Sequence, residues 1–307
     1  MMKALHYDKS GDINVLKLGQ VPKQTISAPD DVLIKVYASA INPIDYKRMG
    51  GLVQEKVWPV VCGYDVAGTV EEVGKDVKRF KAGDAVYGNV HVNAIVPTQH
   101  GSMADFVVCK ASVLAKKPTK LSWTEAAAIP LAAQTAYQAF EKGSLAKGQK
   151  VLITAGAGGV GTFALQIAKK MFNAGTVYTT GSSPKLEQLK AFGADELINY
   201  KKVKFEETVS DLDMVFDLTH EASKATKVVK QDGKVRVISI VAFEKAEGVT
   251  SFVIQSSGAL LEKMNPLFES GELVVKIDKE FAFDDCIAAW KHAMENRPFG
   301  KVVIKHL

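Results

Sequence analysis

Residues 153–161 read ITAGAGGVG and directly follow a short apolar run. Gly156, Gly158 and Gly161 match the pattern G-x-G-x-x-G. In that pattern the first glycine permits a tight turn, the second lets the backbone approach a pyrophosphate, and the third lets a helix pack closely on a strand. The stretch lies between a predicted strand and a predicted helix, which is the context that separates the motif from a chance match. We therefore predict a dinucleotide site; a glycine-rich turn with no ligand is the alternative.

The start of the predicted helix, at Gly159 and Val160, supports the same interpretation. The first N–H groups of a helix have no partner within it, and the helix dipole is positive at that end. Both features favour a bound phosphate.

After residue 150, short apolar strands alternate with segments of helical periodicity. Residues 160–172 place apolar side chains on one face at helical spacing. Alternating strands and helices indicate an α/β domain with a doubly wound parallel Rossmann sheet. The predicted strands are residues 150–154, 176–180, 196–199, 214–218 and 234–241.

The end of the second predicted strand selects the dinucleotide, because an acidic residue there would hold the ribose of NAD. Gly181 stands at that place, and residues 176–185 contain no Asp or Glu. Ser182 and Lys185 can donate to a 2′-phosphate, which favours NADPH. Tyr200, after the third strand, could pack beside the adenosine phosphate. The alternatives are that Ser182 and Ser183 only cap the next helix, Lys185 is solvated and Tyr200 is an ordinary strand-end aromatic.

The chain before residue 122 has a different character, with short β-branched runs separated by Gly, Pro, Asn and Asp. Turn signals at this density indicate antiparallel strands in a compact barrel-like or sandwich domain. The closing sequence GKVVIKHL reads as a strand that docks into an existing sheet. We therefore expect a discontinuous, barrel-like β-rich domain from residues 1–122 and 267–307, with the Rossmann domain at 123–266.

Composition limits the class of protein. The chain has 307 residues, of which 47% are hydrophobic and 24% charged, an ordinary globular balance. No apolar run reaches the roughly 18 residues that cross a bilayer, and the first residues lack a hydrophobic signal region. The three cysteines, Cys62, Cys109 and Cys286, are far apart and read as small core residues. We expect a soluble, cytoplasmic protein with no membrane insertion.

The net charge of +5 raises the question of a nucleic-acid partner. Dedicated nucleic-acid binders cluster Arg and Lys on one face. Here only four of the 39 basic residues are arginine, and the lysines are scattered among acids, as in KFEETVSDLD. We expect no nucleic-acid partner.

Several ordered motifs resemble one family over nearly the whole chain. The motifs are NPIDYKRMGG (42–51), GYDVAGTVEEVG (63–74), FKAGDAVYG (80–88), GSMADF (101–106), IPLAAQTAY (129–137), AGAGGVGT (155–162), GALLEKMNPLFESGEL (258–273) and RPFGKVVI (297–304). With these motifs the chain resembles the zinc-free, quinone oxidoreductase-like branch of the medium-chain dehydrogenase/reductase superfamily, and most closely the plant-type enone and alkenal reductases. The resemblance implies that the discontinuous β-rich domain is a GroES-like catalytic domain.

The resemblance also allows a test for the family's catalytic zinc. The first zinc ligand of the alcohol dehydrogenases, usually Cys, falls in the region of NPIDYK, and the second, usually His, falls where Tyr64 stands. Neither Asn42 nor Tyr64 is an ordinary zinc ligand. We expect no metal, and without a Lewis acid alcohol oxidation is disfavoured.

The resemblance implies an NADPH-dependent reduction of an activated carbon–carbon double bond, with hydride passing to the β-carbon of an enone or enal. The resulting enolate needs a positive or hydrogen-bonding group at its oxygen. Lys47 is the first candidate, and Tyr64 is the second as a hydroxyl donor. Asn42 and Asp45 are expected to hold the loop and orient Lys47, with Asp45 favouring the charged amine. A surface lysine and a core tyrosine are the alternatives.

Further cofactor contacts follow from the resemblance. It places Thr135 near the nicotinamide or its phosphates, and Phe252 and Val253 on an edge segment beside the nicotinamide. A buried helix hydroxyl and a plain strand would give the same sequence. Relatives usually have glycine in a D-x-x-G pattern after the fourth strand, whereas this chain has His220. We interpret His220 as a solvated loop residue.

Two other functions stay open at this point. A quinone reductase would use the same site without protonating a carbon, and an NADPH-regulated RNA- or protein-binding module would need little catalysis. The expected partner is a small-molecule enone, enal or quinone. Edge pairing through residues 251–255 would give a homodimer, and a monomer is the alternative.

Overall fold

The computed structural model describes residues 1–96, 98–232, 234–240, 247–295 and 297–306, apart from the side chain of Ser183. The chain forms two compact units. The first, which we call the β-rich unit, consists of Met1–Gln134 and Ile254–Leu307, and the second, the parallel-sheet unit, is Thr135–Val253. The last residue of the predicted strand 234–241 lies outside the described residues.

Short strands build the first part of the β-rich unit, as the density of turn residues predicted. The elements are β1 (Met2–Tyr7), β2 (Lys17–Val21), β3 (Asp31–Ile41), α1 (Pro43–Lys47), β4 (Val60–Val61), β5 (Asp65–Val73), β6 (Ala85–Asn89), β7 (Phe106–Lys110), β8 (Leu114–Lys116) and α2 (Trp123–Ala128). A π-helical turn, Arg48–Leu52, follows α1.

The long strand β3 organises this unit, because it pairs antiparallel with both β5 and β7. Its approach to β5 requires a glycine: a Cβ on Gly68 would overlap the carbonyl oxygen of Lys35. Val32, Ile34 and Val36 are buried on β3 within one hydrophobic cluster. Their burial removes apolar surface from water, which is the main stabilising effect in such a sheet.

The parallel-sheet unit follows the predicted alternation of strands and helices. The elements here, beginning with the helix that crosses its first residue, are α3 (Pro130–Lys142), β9 (Val151–Ile153), α4 (Gly159–Lys170), β10 (Val177–Gly181), α5 (Ser183–Leu186), β11 (Glu196–Asn199), β12 (Met214–Asp217), α6 (Ala222–Ala225), β13 (Val237–Ser239) and β14 (Val249–Ser251).

All pairings in this second sheet are parallel, and the strand order is β11-β10-β9-β12-β13-β14. That order places the first strand of the unit in the middle and reverses direction beside it, which is the doubly wound arrangement. Every residue of β9 and β12 is buried. Burial on both faces explains why these strands read as continuous apolar runs.

The glycines after β9 are needed mainly because there is no room for a side chain at their positions. The residue with a left-handed backbone in this turn is Ala155, with φ of 50°. Our expectation that Gly156 permits the turn is therefore wrong in its reason: Gly156 is needed because a Cβ there would overlap the Thr179 hydroxyl on β10. A Cβ on Gly161 would overlap the carbonyl oxygen of Ala155, so α4 packs closely at this residue on the turn that follows β9.

The C-terminal segment returns to the β-rich unit. Its elements are α7 (Gly258–Ser270), β15 (Ile277–Ala282), α8 (Cys286–Met294) and β16 (Lys301–Lys305). Strand β16 pairs antiparallel with β3 and parallel with β15, so the closing strand docks into the first sheet as predicted. The β-rich unit is therefore discontinuous in sequence.

The unit boundaries differ from the expected ones at 122/123 and 266/267, because two helices belong to the β-rich unit. Helix α2 packs against β3 and β5. Helix α7 approaches β8 so closely that a Cβ on Gly258 would overlap the backbone of Leu114. Both helices read as part of the alternating pattern in sequence, and only their packing partners assign them.

The three cysteines are buried and unpaired, as the sequence indicated. Cys62 and Cys286 lie in one hydrophobic cluster with Trp290, and Cys109 lies in another. None of the helices formed by the described residues is both long and apolar enough to span a bilayer.

The close contact at Gly161 yields a stability prediction. We expect Gly161→Ala to lower the free energy of unfolding by about 2 kcal/mol, because the new methyl group must displace the Ala155 carbonyl. The measurement is guanidinium chloride unfolding followed by circular dichroism. Gly158→Ala is the matched control, since a Cβ there would lie 3.3 Å from the same oxygen. Equal stability losses in the two variants would contradict the packing argument.

Candidate active site

The candidate residues lie in both units, and each group is described within its own unit. In the parallel-sheet unit, α4 begins at Gly159 with Gly158 as its N-cap. The N–H groups of Gly159, Val160 and Gly161 therefore lack a carbonyl partner within the helix. Together with the positive helix end, they can bind an anion such as a pyrophosphate.

The glycine-rich turn is fastened to β10 by two hydrogen bonds. The N–H of Ala155 donates to the hydroxyl of Thr180 at 2.9 Å, and the N–H of Gly156 donates to the Thr180 carbonyl at 3.1 Å. Sequence analysis did not single out Thr180. These bonds hold the turn in one conformation, so its amides are already oriented before any ligand binds.

The predicted 2′-phosphate residues lie at the carboxyl ends of neighbouring strands. Gly181 ends β10 and pairs with Asn199 of β11, and the N–H of Tyr200 donates to the Gly181 carbonyl at 3.3 Å. Ser182 occupies the N-cap position of α5, but its side chain makes no capping bond. Ser182 and Lys185 are half-buried, and Tyr200 is 58% exposed. The structure thus brings Ser182 and Tyr200 to one edge of the sheet.

The other predicted cofactor contacts lie elsewhere in this unit. Thr135 is buried on α3. Phe252 and Val253 directly follow β14, which is an edge strand, and both are half-buried. The ammonium of Lys142 lies 5.6 Å from the centroid of the Phe252 ring.

His220 adopts a backbone conformation that glycine favours, with φ of 62°. The turn before it is held by Asp217, whose carboxylate accepts the N–H groups of Thr219 and Glu221 at 2.9 and 3.1 Å. Its second oxygen accepts the hydroxyl of Ser239 at 3.0 Å. His220 is exposed. The left-handed conformation gives a physical reason for the glycine that is usual in the D-x-x-G pattern.

In the β-rich unit, Asn42 and Asp45 form the start of α1. Asn42 is the N-cap, and its N–H donates to Asp45 Oδ2 at 2.7 Å. Both residues are buried. These contacts satisfy backbone groups that a helix start would otherwise leave unpaired.

Behind this helix lies a buried polar network that sequence analysis missed. Asp65 accepts the Asn42 amide at 2.8 Å and the Leu131 N–H at 2.9 Å. Lys301 on β16 donates to the Asn42 side-chain oxygen and to the Ile41 carbonyl, and its Nζ lies 3.5 Å from Asp65 Oδ2. Burial raises the pKa of Asp65 and lowers the pKa of Lys301, while the attraction between them offsets part of both shifts.

Asp45 is the most perturbed carboxyl of this group. Burial, together with the negative charge of Asp65, raises the pKa of Asp45 to about 7. Its Oδ1 has no hydrogen-bond partner among the described residues. It borders a cavity of about 10 Å³, also lined by Tyr7, Arg48 and Tyr64, which is close to the space that one water molecule needs.

Tyr64 is buried, with 1% of its surface exposed. Its hydroxyl donates to the Ala94 carbonyl at 2.6 Å, and its ring centroid lies 4.2 Å from that of His91. Burial raises the pKa of Tyr64, so the group stays protonated. The hydroxyl already has an acceptor, which separates Tyr64 from a donor that awaits a substrate.

Lys47 lies in the last turn of α1 and is half-buried. No hydrogen bond or ion pair joins the ammonium of Lys47 to any residue that the structure describes, Asp45 included. The predicted orienting contact from Asp45 to Lys47 is therefore not formed; Asp45 instead faces Asn42, Asp65, Arg48 and Lys301. Among the four predicted catalytic residues, Lys47 is the one whose polar group is both partly exposed and without a partner in the described chain; Asp45 Oδ1 also lacks a partner but is buried.

The zinc positions of the alcohol dehydrogenases can be tested on these contacts. The Asn42 amide is committed to Asp65 and Lys301, and the Tyr64 hydroxyl is committed to Ala94. Neither offers the thiolate or imidazole that zinc takes. No group of three or more His, Cys, Asp or Glu side chains suited to a metal occurs within the described ranges. These residues do not fit a catalytic zinc.

A β-rich unit with a docked C-terminal strand and a doubly wound sheet with a glycine-rich turn define the class of two-domain, nucleotide-dependent α/β oxidoreductases. Comparisons with known proteins agree. Residues 28–119 match the alcohol dehydrogenase GroES-like domain family, and residues 192–304 match the zinc-binding dehydrogenase family.

Three similar proteins cover nearly all of the chain. The 2-methylene-furan-3-one reductase of Solanum lycopersicum is 42% identical over 99% of this chain and 79% of its own length. The chloroplastic NADPH-dependent alkenal/one oxidoreductase of Arabidopsis thaliana is 38% identical over the same shares. The solved quinone oxidoreductase of Coxiella burnetii is 30% identical, with a TM-score of 0.90 over 100% of this chain and 99% of that one.

The chain therefore belongs to the medium-chain dehydrogenase/reductase superfamily, in its quinone oxidoreductase-like branch. It is an NAD(P)H-dependent oxidoreductase of the quinone and alkenal reductase type.

The buried carboxyl of Asp45 yields a pH prediction. Its pKa is about 7 in the folded chain against an ordinary 3.8, so from about pH 4 to about pH 7 the unfolded chain is ionised while the folded site keeps its proton. Across that window the buried Asp45 carboxyl lowers the free energy of unfolding by about 1.4 kcal/mol for each unit by which the pH rises. Above about pH 7 the carboxyl is ionised in both states, so the free energy of unfolding falls no further on its account. Asp45→Asn has no such loss.

The measurement is guanidinium chloride unfolding of both proteins at a series of pH values. The stability of Asp45→Asn relative to the parent should rise from pH 4 to pH 7. Asp76→Asn, at an exposed position, is the control and should give a flat difference. A flat difference for Asp45→Asn as well would contradict a protonated Asp45.

Proposed function

We propose that this chain reduces the activated carbon–carbon double bond of enones and alkenals with NADPH. The observation that carries the proposal is the uncommitted ammonium of Lys47, fixed on a helix whose start is held by Asn42 and Asp45. The named activities of the tomato and Arabidopsis relatives, a methylene-furanone reductase and an alkenal/one oxidoreductase, support it.

The residues of the parallel-sheet unit fit a dinucleotide. The N–H groups of Gly159, Val160 and Gly161 would hold the pyrophosphate, because they have no carbonyl partner within the helix. A side chain at Gly161 would crowd the turn that presents them. Ser182 and Lys185 would hold the 2′-phosphate of NADPH. When bound, NADPH supplies the hydride.

The β-rich unit supplies the polar groups of the reaction. Lys47 would donate a hydrogen bond to the carbonyl oxygen and stabilise the negative charge that develops there. Tyr64 would first have to release the Ala94 carbonyl, so we assign Lys47 ahead of Tyr64. Asn42 and Asp45 act as positioning residues, since they fix the helix that carries Lys47.

Quinone reduction is a second candidate, favoured by the similarity to the quinone oxidoreductase of Coxiella burnetii over the whole chain. It would use the same residues without protonation at carbon. A cytoplasmic location and a monomeric or homodimeric state stay predictions.

Lys47→Ala separates the two reactions. We expect the kcat/KM for a small enone to fall by about 10²-fold, the usual loss for one donor to a developing oxyanion, while quinone reduction is largely kept. The measurement is the loss of NADPH absorbance under steady-state conditions with each substrate. Lys75→Ala, at an exposed turn of the same unit, is the matched control. Unchanged enone kinetics in Lys47→Ala would remove the catalytic assignment, and no turnover of any enone, enal or quinone by the parent would refute the function.

Ser182→Asp tests the cofactor assignment. A carboxylate at this position would repel a 2′-phosphate, so we expect the Kd for NADPH to rise about tenfold and the Kd for NADH to stay constant or fall. The measurement is nucleotide fluorescence titration. Gln188→Asp adds the same charge at an exposed position nearby and serves as the control. Equal weakening of NADPH and NADH by Ser182→Asp would contradict a 2′-phosphate contact.

A further inference from the structure

Arg48 is a buried cation that joins two separate loops of the β-rich unit. Its side chain is 4% exposed, and its guanidinium donates to both oxygens of Glu55 at 2.5 and 2.9 Å. Its Nη2 also donates to the Thr98 carbonyl at 2.6 Å. The Glu55 side chain is 1% exposed. One guanidinium therefore ties the first loop, residues 50–58, to the second loop, residues 91–96 and 98–100.

The two loops carry an unusual share of the exposed apolar side chains. Of the twelve large hydrophobic residues that are exposed in the described chain, six lie in these loops. Scattered single residues of this kind are normal, but a concentration marks a binding surface. The six are Leu52, Val57, Trp58, Val92, Ile95 and Val96.

Charge is nearly absent from this surface. In residues 50–58 the charged groups are Glu55, which is buried against Arg48, and Lys56. The described residues of the second loop contain two titratable groups, His91 and His100. Burial lowers the pKa of His91 to about 3 and also lowers the pKa of His100, so neither adds a charge at neutral pH. Because Arg48 and Glu55 neutralise each other, Lys56 is the charge left in residues 50–58. A surface this sparsely charged suits a neutral apolar chain better than an ionic ligand or a charged protein partner.

The loops also adjoin the candidate catalytic residues. Arg48 follows Lys47 directly in sequence, and its guanidinium lies 5.9 Å from the centroid of the Tyr64 ring. It lines the same small cavity as Asp45. We call Arg48, with its partners Glu55 and Thr98, the clamp. The clamp therefore adjoins the residues to which we assign the carbonyl end of the substrate.

We propose that Arg48 is a positioning residue that holds the two loops together as one apolar surface for the alkyl chain of the substrate, so that the enzyme prefers long-chain enones and enals. This inference rests on the proposed function. Residues 50–58 include two glycines and a π-helical turn, so the clamp supplies order that the loop sequence does not. Arginine suits the role because its planar fork reaches a carboxylate and a carbonyl at once, which lysine does not.

The test compares but-3-en-2-one with oct-1-en-3-one, which differ by four methylene groups. In the parent the KM for the longer enone should be lower by at least about tenfold, since each buried methylene contributes about fourfold. In the double variant Arg48→Met, Glu55→Gln, which leaves no unpaired buried charge, this ratio should collapse to about twofold or less. The kcat for but-3-en-2-one should change less than the KM for oct-1-en-3-one, because the proposed role concerns the alkyl chain and not the reacting atoms.

Two controls keep the result specific. Arg79→Met with Glu262→Gln removes an exposed pair in the same unit and should leave the ratio unchanged. If the clamp variant does not fold, Val57→Ser with Ile95→Ser alters only exposed side chains and should lower the ratio in the same way. An unchanged ratio in the folded clamp variant, or in the serine variant, overturns the proposal.

A binding measurement separates this inference from the proposed function. Binding of saturated octan-3-one and butan-2-one is followed through tryptophan fluorescence, since Trp58 lies in the first loop. If no enone is reduced but octan-3-one binds at least about tenfold more tightly, the function fails and the inference stands. If octan-3-one binds no more tightly and sedimentation shows that Trp58→Ser dissociates a dimer, the loops face a second copy and the inference fails.

Discussion

The β-rich unit depends on one buried carboxylate, Asp65. It accepts the side-chain amide of Asn42 and the N–H of Leu131 at the start of α3, and it faces the ammonium of Lys301. Three distant parts of the chain, the loop before α1, the start of α3 and the closing strand β16, thus meet at one side chain. A buried charge without such partners would cost several kcal/mol, so the network accepts only an arrangement in which all of them are present.

This constraint also explains why the ammonium of Lys47 stays available in the candidate site. Asn42 and Asp45 hold the helix start, since the Asn42 N–H donates to Asp45 Oδ2, and the hydroxyl of Tyr64 donates to the Ala94 carbonyl. Lys47, in the following turn, keeps its ammonium unpaired within the described chain. A rigid helix that presents an uncommitted donor is suitable for stabilising charge on a substrate oxygen, because the donor does not first have to break a hydrogen bond to another group.

The sequence predicted the parallel-sheet unit well, because its signals are local. A strand, a glycine-rich turn and a helix follow one another within about twenty residues. The helical spacing of the apolar residues from Val160 to Met171 can be recognised without knowing which residues they pack against. The role of Gly156 was misjudged since its neighbour Thr179 lies on another strand. Space between strands cannot be read from a single stretch of chain.

The β-rich unit shows the opposite case. The partnership of Asp65 with Lys301, and of Arg48 with Thr98, joins residues far apart in sequence, and nothing in their immediate neighbours signals it. For the same reason the expected boundaries differ from the limits of the two compact units at α2 and α7, whose sequence patterns do not show which sheet they pack against. Motif resemblance located Lys47 and Tyr64, but only packing distinguishes a committed hydroxyl from an available amine.

The burial of the three cysteines has a chemical consequence for an enzyme of conjugated carbonyls. Such compounds alkylate thiolates, and a thiol reacts only to the extent that it is ionised and accessible. Burial raises the pKa of Cys62 and of Cys109, and it raises the pKa of Cys286 to about 11. Sulfur in this chain is thereby kept protonated and out of reach, and the catalyst is shielded from self-poisoning by the electrophiles it would handle.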